Sequence, residues 1–186
     1  MAELFYVIGA SGVGKDSLLN YAREHLSMDD KVVFAHRYIT RAADAGNENH
    51  VALSEPEFQR RLQQGCFAMN WDSHGYRYGI GVEIEQWLAL GLNVVINGSR
   101  AYLQQASRDY PELIPVLVRV GQTLLRERLQ QRGRESAEEI ERRLQRAQAL
   151  DKLQHPRMLV INNEGDLGDA GKALVQLISR KVSSCV

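Results

Sequence analysis

Short apolar runs alternate with stretches in which apolar residues recur every three or four positions, and this rhythm continues along the whole chain. Leu4-Phe5-Tyr6-Val7-Ile8 predicts a buried strand, and Leu18, Leu19, Tyr21, Ala22 and Leu26 follow at helical spacing. Lys31-Val32-Val33-Phe34-Ala35 predicts a short buried strand ending at His36-Arg37-Tyr38-Ile39-Thr40-Arg41, followed by a polar loop to His50. Ser54-Glu55-Pro56-Glu57 has the pattern of a capping box with proline in the first turn, so a helix is expected through Phe58 and Leu62 to Gly65. Phe67–Trp71 and Tyr76–Ile80 predict two strands joined by a turn at Ser73-His74-Gly75. A helix from about Glu83 to Leu90, a buried strand Leu92–Ile96 and a helix from about Ala101 to Tyr110 come next. Ile114–Val120 predicts a strand and Thr123–Gln131 a helix, broken by Gln131-Arg132-Gly133-Arg134-Glu135. Ser136 and Glu139 then open a long helix through Ile140, Leu144, Ala147 and Leu150. A last strand, Met158–Ile161, and a last helix, from Leu167 to about Ile178, close the pattern. Strands alternating with helices imply an α/β fold whose parallel sheet is covered on both faces.

At 186 residues the chain fits one domain with a substantial core. Its 23 basic and 23 acidic residues cancel, which argues against a broad nucleic-acid surface. Cys66 and Cys185 form no metal-ligand spacing and suggest no disulfide framework. Neither a secretory leader nor a membrane-length apolar run is visible, so a cytoplasmic protein without membrane partners is expected.

The chemistry is concentrated after the first strand. Gly9-Ala10-Ser11-Gly12-Val13-Gly14-Lys15-Asp16-Ser17 is a G-x-x-x-x-G-K loop between a strand and a helix, the context that makes the pattern a phosphate site. Its backbone N–H groups and the helix N-terminus favour phosphate oxygens, and Lys15 reaches the outer phosphates, so ATP is the expected nucleotide. Asp16 stands where a hydroxyl usually meets Mg²⁺. Either its carboxylate or the Ser17 hydroxyl is the candidate metal ligand.

Ligands of such a sheet gather at the carboxyl ends of the strands. Arg37 and Arg41 lie at one such end and suit an anionic acceptor, whereas either arginine alone would read as surface charge. Asn97-Gly98-Ser99-Arg100 and Asn162-Asn163 mark two further ends. His50 and Tyr78 can donate to phosphate or hydroxyl. The arginines at 132, 134, 142, 143 and 146 form a candidate lid hinged at Gly133, unless the interleaved Glu138, Glu139 and Glu141 make them an ordinary charged helix. Arg142 and Arg143 diverge by about 100° on a helix, so only one of them can join Arg132 over the phosphates. No Asp or His stands out as a general base. That favours an acceptor that is itself a phosphate, whose oxygen is already anionic.

The glycine loop, Thr40-Arg41, Trp71, Tyr78-Gly79, Arg132-Gly133 and Ile161-Asn162-Asn163 resemble guanylate kinase, in the same order along nearly the whole chain. The positions that would read guanine depart from that family: Arg37, Asp44, His50, Asn70, Ile80 and Asn97 replace its serine, second arginine, tyrosine, glutamate, small hydroxyl residue and aspartate. The departures, with Glu48-Asn49-His50, Tyr78–Ile84 and Val95–Ala101, resemble the ribose 1,5-bisphosphate phosphokinases, a guanylate-kinase-like family of bacterial phosphonate breakdown. The resemblance implies a P-loop, nucleoside-monophosphate-kinase-like fold with a five-stranded parallel core sheet. The core would comprise about residues 1–35, 92–131 and 154–181, with an acceptor-binding insert at about 36–82 and an Arg-rich lid at about 132–146.

It also implies transfer of the ATP γ-phosphoryl group to the 1-phosphate of a sugar bisphosphate, with Mg²⁺. The catalytic set would be Lys15, Arg132 and Arg143, with nucleotide held by residues 9–17 and Asn162. Acceptor would be held by Arg37, Arg41, His50, Tyr78, Asn97 and Arg100. A homodimer is compatible with the sequence. A nucleoside monophosphate kinase of altered base specificity, and a non-catalytic protein-binding module of the same fold, are the competing expectations.

Overall fold

The first strand, β1 (Leu4–Gly9), is apolar on both sides, and that decides its place. Leu4, Tyr6 and Ile8 enter one core while Phe5 and Val7 enter the other, so the strand must lie inside a sheet covered on both faces. A computed structural model, describing residues 2–43, 48–133, 136–151 and 153–179, puts it there. After β1 come helix α1 (Lys15–His25), β2 (Val32–Phe34), β3 (Arg37–Ile39), β4 (Val51–Ala52), α2 (Glu55–Gln63), β5 (Phe67–Ser73), β6 (Tyr76–Gly81) and α3 (Glu83–Ala89). Then follow β7 (Asn93–Asn97), α4 (Leu103–Asp109), β8 (Ile114–Arg119), α5 (Gln122–Arg132), α6 (Ala137–Asp151), β9 (Leu159–Asn162) and α7 (Leu167–Ile178).

The main sheet has five strands in the order β2-β7-β1-β8-β9, all neighbours parallel, as expected. One core holds Phe5, Val95, Val116 and Val118 beneath α1, α5, α6 and α7. The other holds Tyr6, Val94, Ile96 and Leu117 with α3 and α4. Burying each such side chain contributes about 1.5–3 kcal/mol. Asn93 opens β7 as a buried polar residue with both ends of its amide satisfied. Its Oδ1 accepts from the Glu3 N–H at 2.9 Å, and its Nδ2 donates to the Ile178 carbonyl at 2.8 Å.

A second sheet, of four strands in the order β4-β3-β6-β5, lies over the second core. β5 and β6 meet in a hairpin whose His74 and Gly75 both have positive φ, the backbone that matches the strand twist. α2 is capped by Ser54, whose hydroxyl accepts from the Glu57 N–H at 3.3 Å.

Two expectations are corrected, and one short strand is added. β2 is half-buried, because it is the edge of the main sheet. Arg37–Ile39 is not the tail of that strand: the chain leaves the sheet after Ala35 and forms β3, which pairs with β6 in the register Arg37 to Ile80 and Ile39 to Tyr78. β4, two exposed residues, is an addition: Val51-Ala52 is too short a run to show a strand period. Among the described residues no helix is long and apolar enough to cross a membrane.

Candidate active site

β1 ends at the glycine loop, and α1 begins immediately after it. Gly14 is the N-cap of α1 with φ 86°, and no side chain caps the helix, so its first N–H groups remain open to a ligand. A Cβ at Gly14 would stand 2.5 Å from the Asn163 amide nitrogen, so the residue must be glycine on steric as well as backbone grounds. Asn163, buried just past β9, donates from Nδ2 to the Val13 carbonyl at 2.7 Å. Arg128 of α5 donates to the Asn163 carbonyl at 3.0 Å and to that of Val13 at 3.4 Å. These bonds hold the loop from behind.

Lys15 is half-buried in the first turn of α1. Burial draws its pKa below the ordinary lysine value; Asp16 and Glu48 oppose that shift and Arg37 adds to it. A cation kept in this position is poised for phosphate. Asp16, half-exposed, accepts from Asn97 Nδ2 at 3.0 Å, and Ser17 is exposed beside it.

On the acceptor side, Glu48 collects the charges. Arg37 grips its carboxylate through both Nε and Nη2. Arg41 Nη2 donates to the same group at 3.2 Å, and Asn97 Nδ2 lies 3.4 Å from it. The Arg37 guanidinium stands 5.2 Å from the centre of the Tyr78 ring, which stacks on Trp71 at 5.5 Å. His50 is buried with its ring nitrogens 3.0 Å from the Glu48 carbonyl and 3.2 Å from the Arg41 carbonyl, so it closes the ends of the 41–50 loop on each other. A cavity between α1 and this loop is lined by Asp16, Arg23, Arg37, Glu48, Asn49 and Asn97.

From the opposite side, Ile140 and Leu144 bury the apolar face of α6 in the first core. Arg143 then reaches across to the glycine loop, donating to the Ser11 hydroxyl at 2.6 Å. Two of the glutamates of this helix are engaged elsewhere. Glu139 and Ser136 complete a reciprocal capping box, and Glu141 pairs with Arg126 of α5 at 2.6 Å.

The structure therefore gathers Gly9 to Ser17, Arg37, Arg41, His50, Tyr78, Asn97 and Arg143 around one cleft. Asn162 is not in it: it is exposed at the end of β9, while its buried neighbour Asn163 supports the loop. Arg100 is exposed and donates to the Arg146 carbonyl at 2.9 Å, toward α6 rather than toward Arg37 and Arg41. The side chain of Arg132, together with Arg134 and Asp44, lies outside the described residues. Arg23, Glu48, Arg128 and Asn163 had not been singled out. For Asn163 the signal was its place at a strand end. For Glu48 it was the block Glu48-Asn49-His50.

The fit to nucleotide and metal can be tested on these side chains. Open N–H groups in a cradle that a Cβ would fill suit phosphate oxygens. The Asn97 and Asn163 side-chain oxygens and Arg41 Nε are buried without a hydrogen-bond partner among the described residues, so the polar wall is incomplete in the ligand-free protein. No group of three or more His, Cys, Asp or Glu among the described residues could hold a metal. A single carboxylate, Asp16, beside the phosphate cradle is what Mg²⁺ requires when waters and phosphates supply its remaining ligands.

A phosphate loop under a five-stranded parallel sheet, with a small second sheet and an arginine-bearing helix facing it, defines a P-loop kinase. The guanylate kinase family model matches residues 1–181, and the chain belongs to that family. The structure of guanylate kinase from Anaplasma phagocytophilum superposes with a TM-score of 0.70, over 99% of this chain and 88% of that one. At 16% identity that likeness establishes the fold. Within the family, the chain is 57% identical to ribose 1,5-bisphosphate phosphokinase PhnN of Psychromonas ingrahamii, over 95% of this chain and 89% of that protein. It is 57% identical to the protein of the same name from Thiobacillus denitrificans, over 95% of this chain and 93% of that one. For that of Burkholderia pseudomallei the identity is 50%, over 95% of both chains.

Proposed function

We propose that the protein transfers the γ-phosphoryl group of ATP to the 1-phosphate of ribose 1,5-bisphosphate, giving 5-phosphoribosyl 1-diphosphate and ADP, as a cytoplasmic step of phosphonate breakdown. The observation that carries this reading is the convergence of Arg37 and Arg41 on one carboxylate beside the phosphate loop, an acceptor site built for an anion. Kinship over nearly the full length with proteins named for this reaction supports it. The positions that would read a base agree: Ile80 is wholly buried among apolar side chains, and Asn70 is exposed.

In the reaction, an oxygen of the acceptor's 1-phosphate forms a bond to the γ-phosphorus while the bond to the β-bridging oxygen breaks, its electron pair leaving with ADP. The attacking oxygen is already ionised, so no side chain needs to remove a proton; alignment and charge stabilisation are the protein's tasks. The loop N–H groups and Lys15 hold the donor phosphates. Arg37 and Arg41 take acceptor phosphate in place of Glu48, and Tyr78 and Asn97 orient it. Arg143 turns from Ser11 onto the transferring group, Arg100 approaches from the α6 side, and Arg132 is the second arginine assigned to the phosphates. Asp16, with Ser17 as the alternative ligand, would hold Mg²⁺, which neutralises charge on the β- and γ-oxygens when bound.

An ADP-release assay comparing ribose 1,5-bisphosphate with GMP, AMP and UMP tests the proposal. Preference for the sugar is expected. GMP turnover at a similar rate would overturn it in favour of a nucleoside monophosphate kinase.

A further inference from the structure

The acceptor of the proposed reaction carries two phosphates, and Arg37 with Arg41 supplies one anion site. The cavity beside α1 holds a further cation. Asp16, Asn20 and Arg23 lie on one face of α1, at steps of four and three residues. Asp16 and Arg23 line the cavity together with Arg37, Glu48, Asn49 and Asn97.

Arg23 is half-buried, with its guanidinium 4.6 Å from the centre of the Phe34 ring. Nη1 donates to Asn20 Oδ1 at 2.9 Å, and among the described residues this is its one hydrogen bond; it forms no ion pair there. A guanidinium has five N–H donors, so most of its fork remains available. Burial lowers its pKa against the opposing pull of Asp16 and Glu48, which places those carboxylates within its field but not in contact. Lys15, Arg23, Arg37 and Arg41 thus face Asp16 and Glu48, an excess of two positive charges before any ligand arrives.

We propose that Arg23 binds the non-reacting phosphate of the acceptor, the 5-phosphate, across the cavity from Arg37, with the Asn49 amide as a further donor. This rests on the reaction proposed above. It makes Arg23 the residue that distinguishes a sugar bisphosphate from a sugar carrying only the reacting phosphate.

The test uses the full chain and two probes. Ribose 5-phosphate carries only the distal phosphate and is titrated calorimetrically against wild type, Arg23→Gln and Arg23→Lys. Ribose 1-phosphate lacks it and is compared with ribose 1,5-bisphosphate as acceptor. In Arg23→Gln, ribose 5-phosphate binding is expected to weaken about tenfold to a hundredfold, the worth of charge-assisted hydrogen bonds. The preference in kcat/KM for the bisphosphate over ribose 1-phosphate falls by a similar factor, and KM for ATP stays within about twofold. Arg23→Lys keeps the charge, loses the planar fork and recovers part of both effects. Should Arg23→Gln fail to fold, Arg23→Lys alone must lower that preference.

Equal losses on both acceptors, or unaltered ribose 5-phosphate binding, would make Arg23 a structural clamp on Phe34 and overturn the proposal. If wild type binds ribose 5-phosphate through Arg23 yet transfers nothing to the bisphosphate, the reaction falls and the anion site stands.

Discussion

Replacing Glu48 by glutamine removes one charge and little shape, and it tests whether this carboxylate keeps the acceptor's place. Arg37 and Glu48 have side chains 13% and 11% exposed, and Arg41 is 20% exposed, so the pairs are closer to buried than to surface ion pairs. Removing one partner of a buried pair costs about 3–5 kcal/mol, and an exposed pair is worth about 0–1. The amide of Glu48→Gln still accepts one hydrogen bond, so a loss of about 2–3 kcal/mol is expected. For a chain of this length, 1 kcal/mol moves Tm by about 2–4 °C, and the ligand-free variant should melt roughly 4–12 °C lower.

The ligand side has the opposite sign. An acceptor phosphate no longer competes with a carboxylate for the two guanidiniums, so acceptor KM should fall, by about tenfold if half of that free energy is recovered. Thermal melts with and without acceptor, together with initial rates, read both effects. An unchanged Tm with a raised KM would refute the reasoning and make Glu48 a direct ligand of the sugar.

Asn163→Ala leaves the Val13 carbonyl without its 2.7 Å donor, at a cost of about 1–3 kcal/mol. Melting should show that loss, and KM for ATP should rise more than KM for the acceptor. Arg143→Ala removes the cation that reaches the glycine loop at Ser11: kcat should drop about a thousandfold, the low end for an arginine acting on a transferring phosphoryl group, with KM for the acceptor changed far less. Lys15→Met should abolish turnover yet raise the Tm of the ligand-free protein at neutral pH, because burial disfavours the lysine cation. Between the lowered folded pKa and the ordinary 10.5, the unfolded state binds more protons, so wild-type stability rises with pH and the gap to Lys15→Met should close. A gap that widened instead would mean that Asp16 and Glu48 outweigh burial.

The strand, loop and helix around Lys15 were legible because every signal there is local: apolar run, glycines, lysine, then helical spacing. The parallel sheet was legible for a similar reason, since its central strands are apolar on both faces. What escaped depends on residues far apart in the chain. Glu48 is one more acid in a polar loop until folding brings Arg37, Arg41 and Asn97 onto it. Arg23 has the spacing of a solvated helix face, and only the cavity shows what it faces. Asn162 and Asn163 are adjacent and chemically identical; the exit of β9 buries one and exposes the other, a distinction that composition does not carry. The boundary between β2 and β3 is hard to read because each strand is only three residues long and two residues separate them, too little for a change of sheet to leave a mark.

The alternation along β1 bears on how such a protein changes its substrate. Phe5 and Val7 pack under the helices that carry Lys15, Arg128 and Arg143, while Tyr6 and Ile8 pack under the sheet that carries Arg37 and Tyr78. The Tyr6 hydroxyl also takes the Ser99 N–H at 2.9 Å, just beyond Asn97. Neighbouring positions on one strand thus answer to different halves of the cleft. Packing on one side of β1 can be remodelled while the other side is kept, and the rigid strand between them holds the two walls of the cleft in line. The proposed acceptor contacts draw on both walls, Arg37 from the sheet side and Arg23 from the helix side.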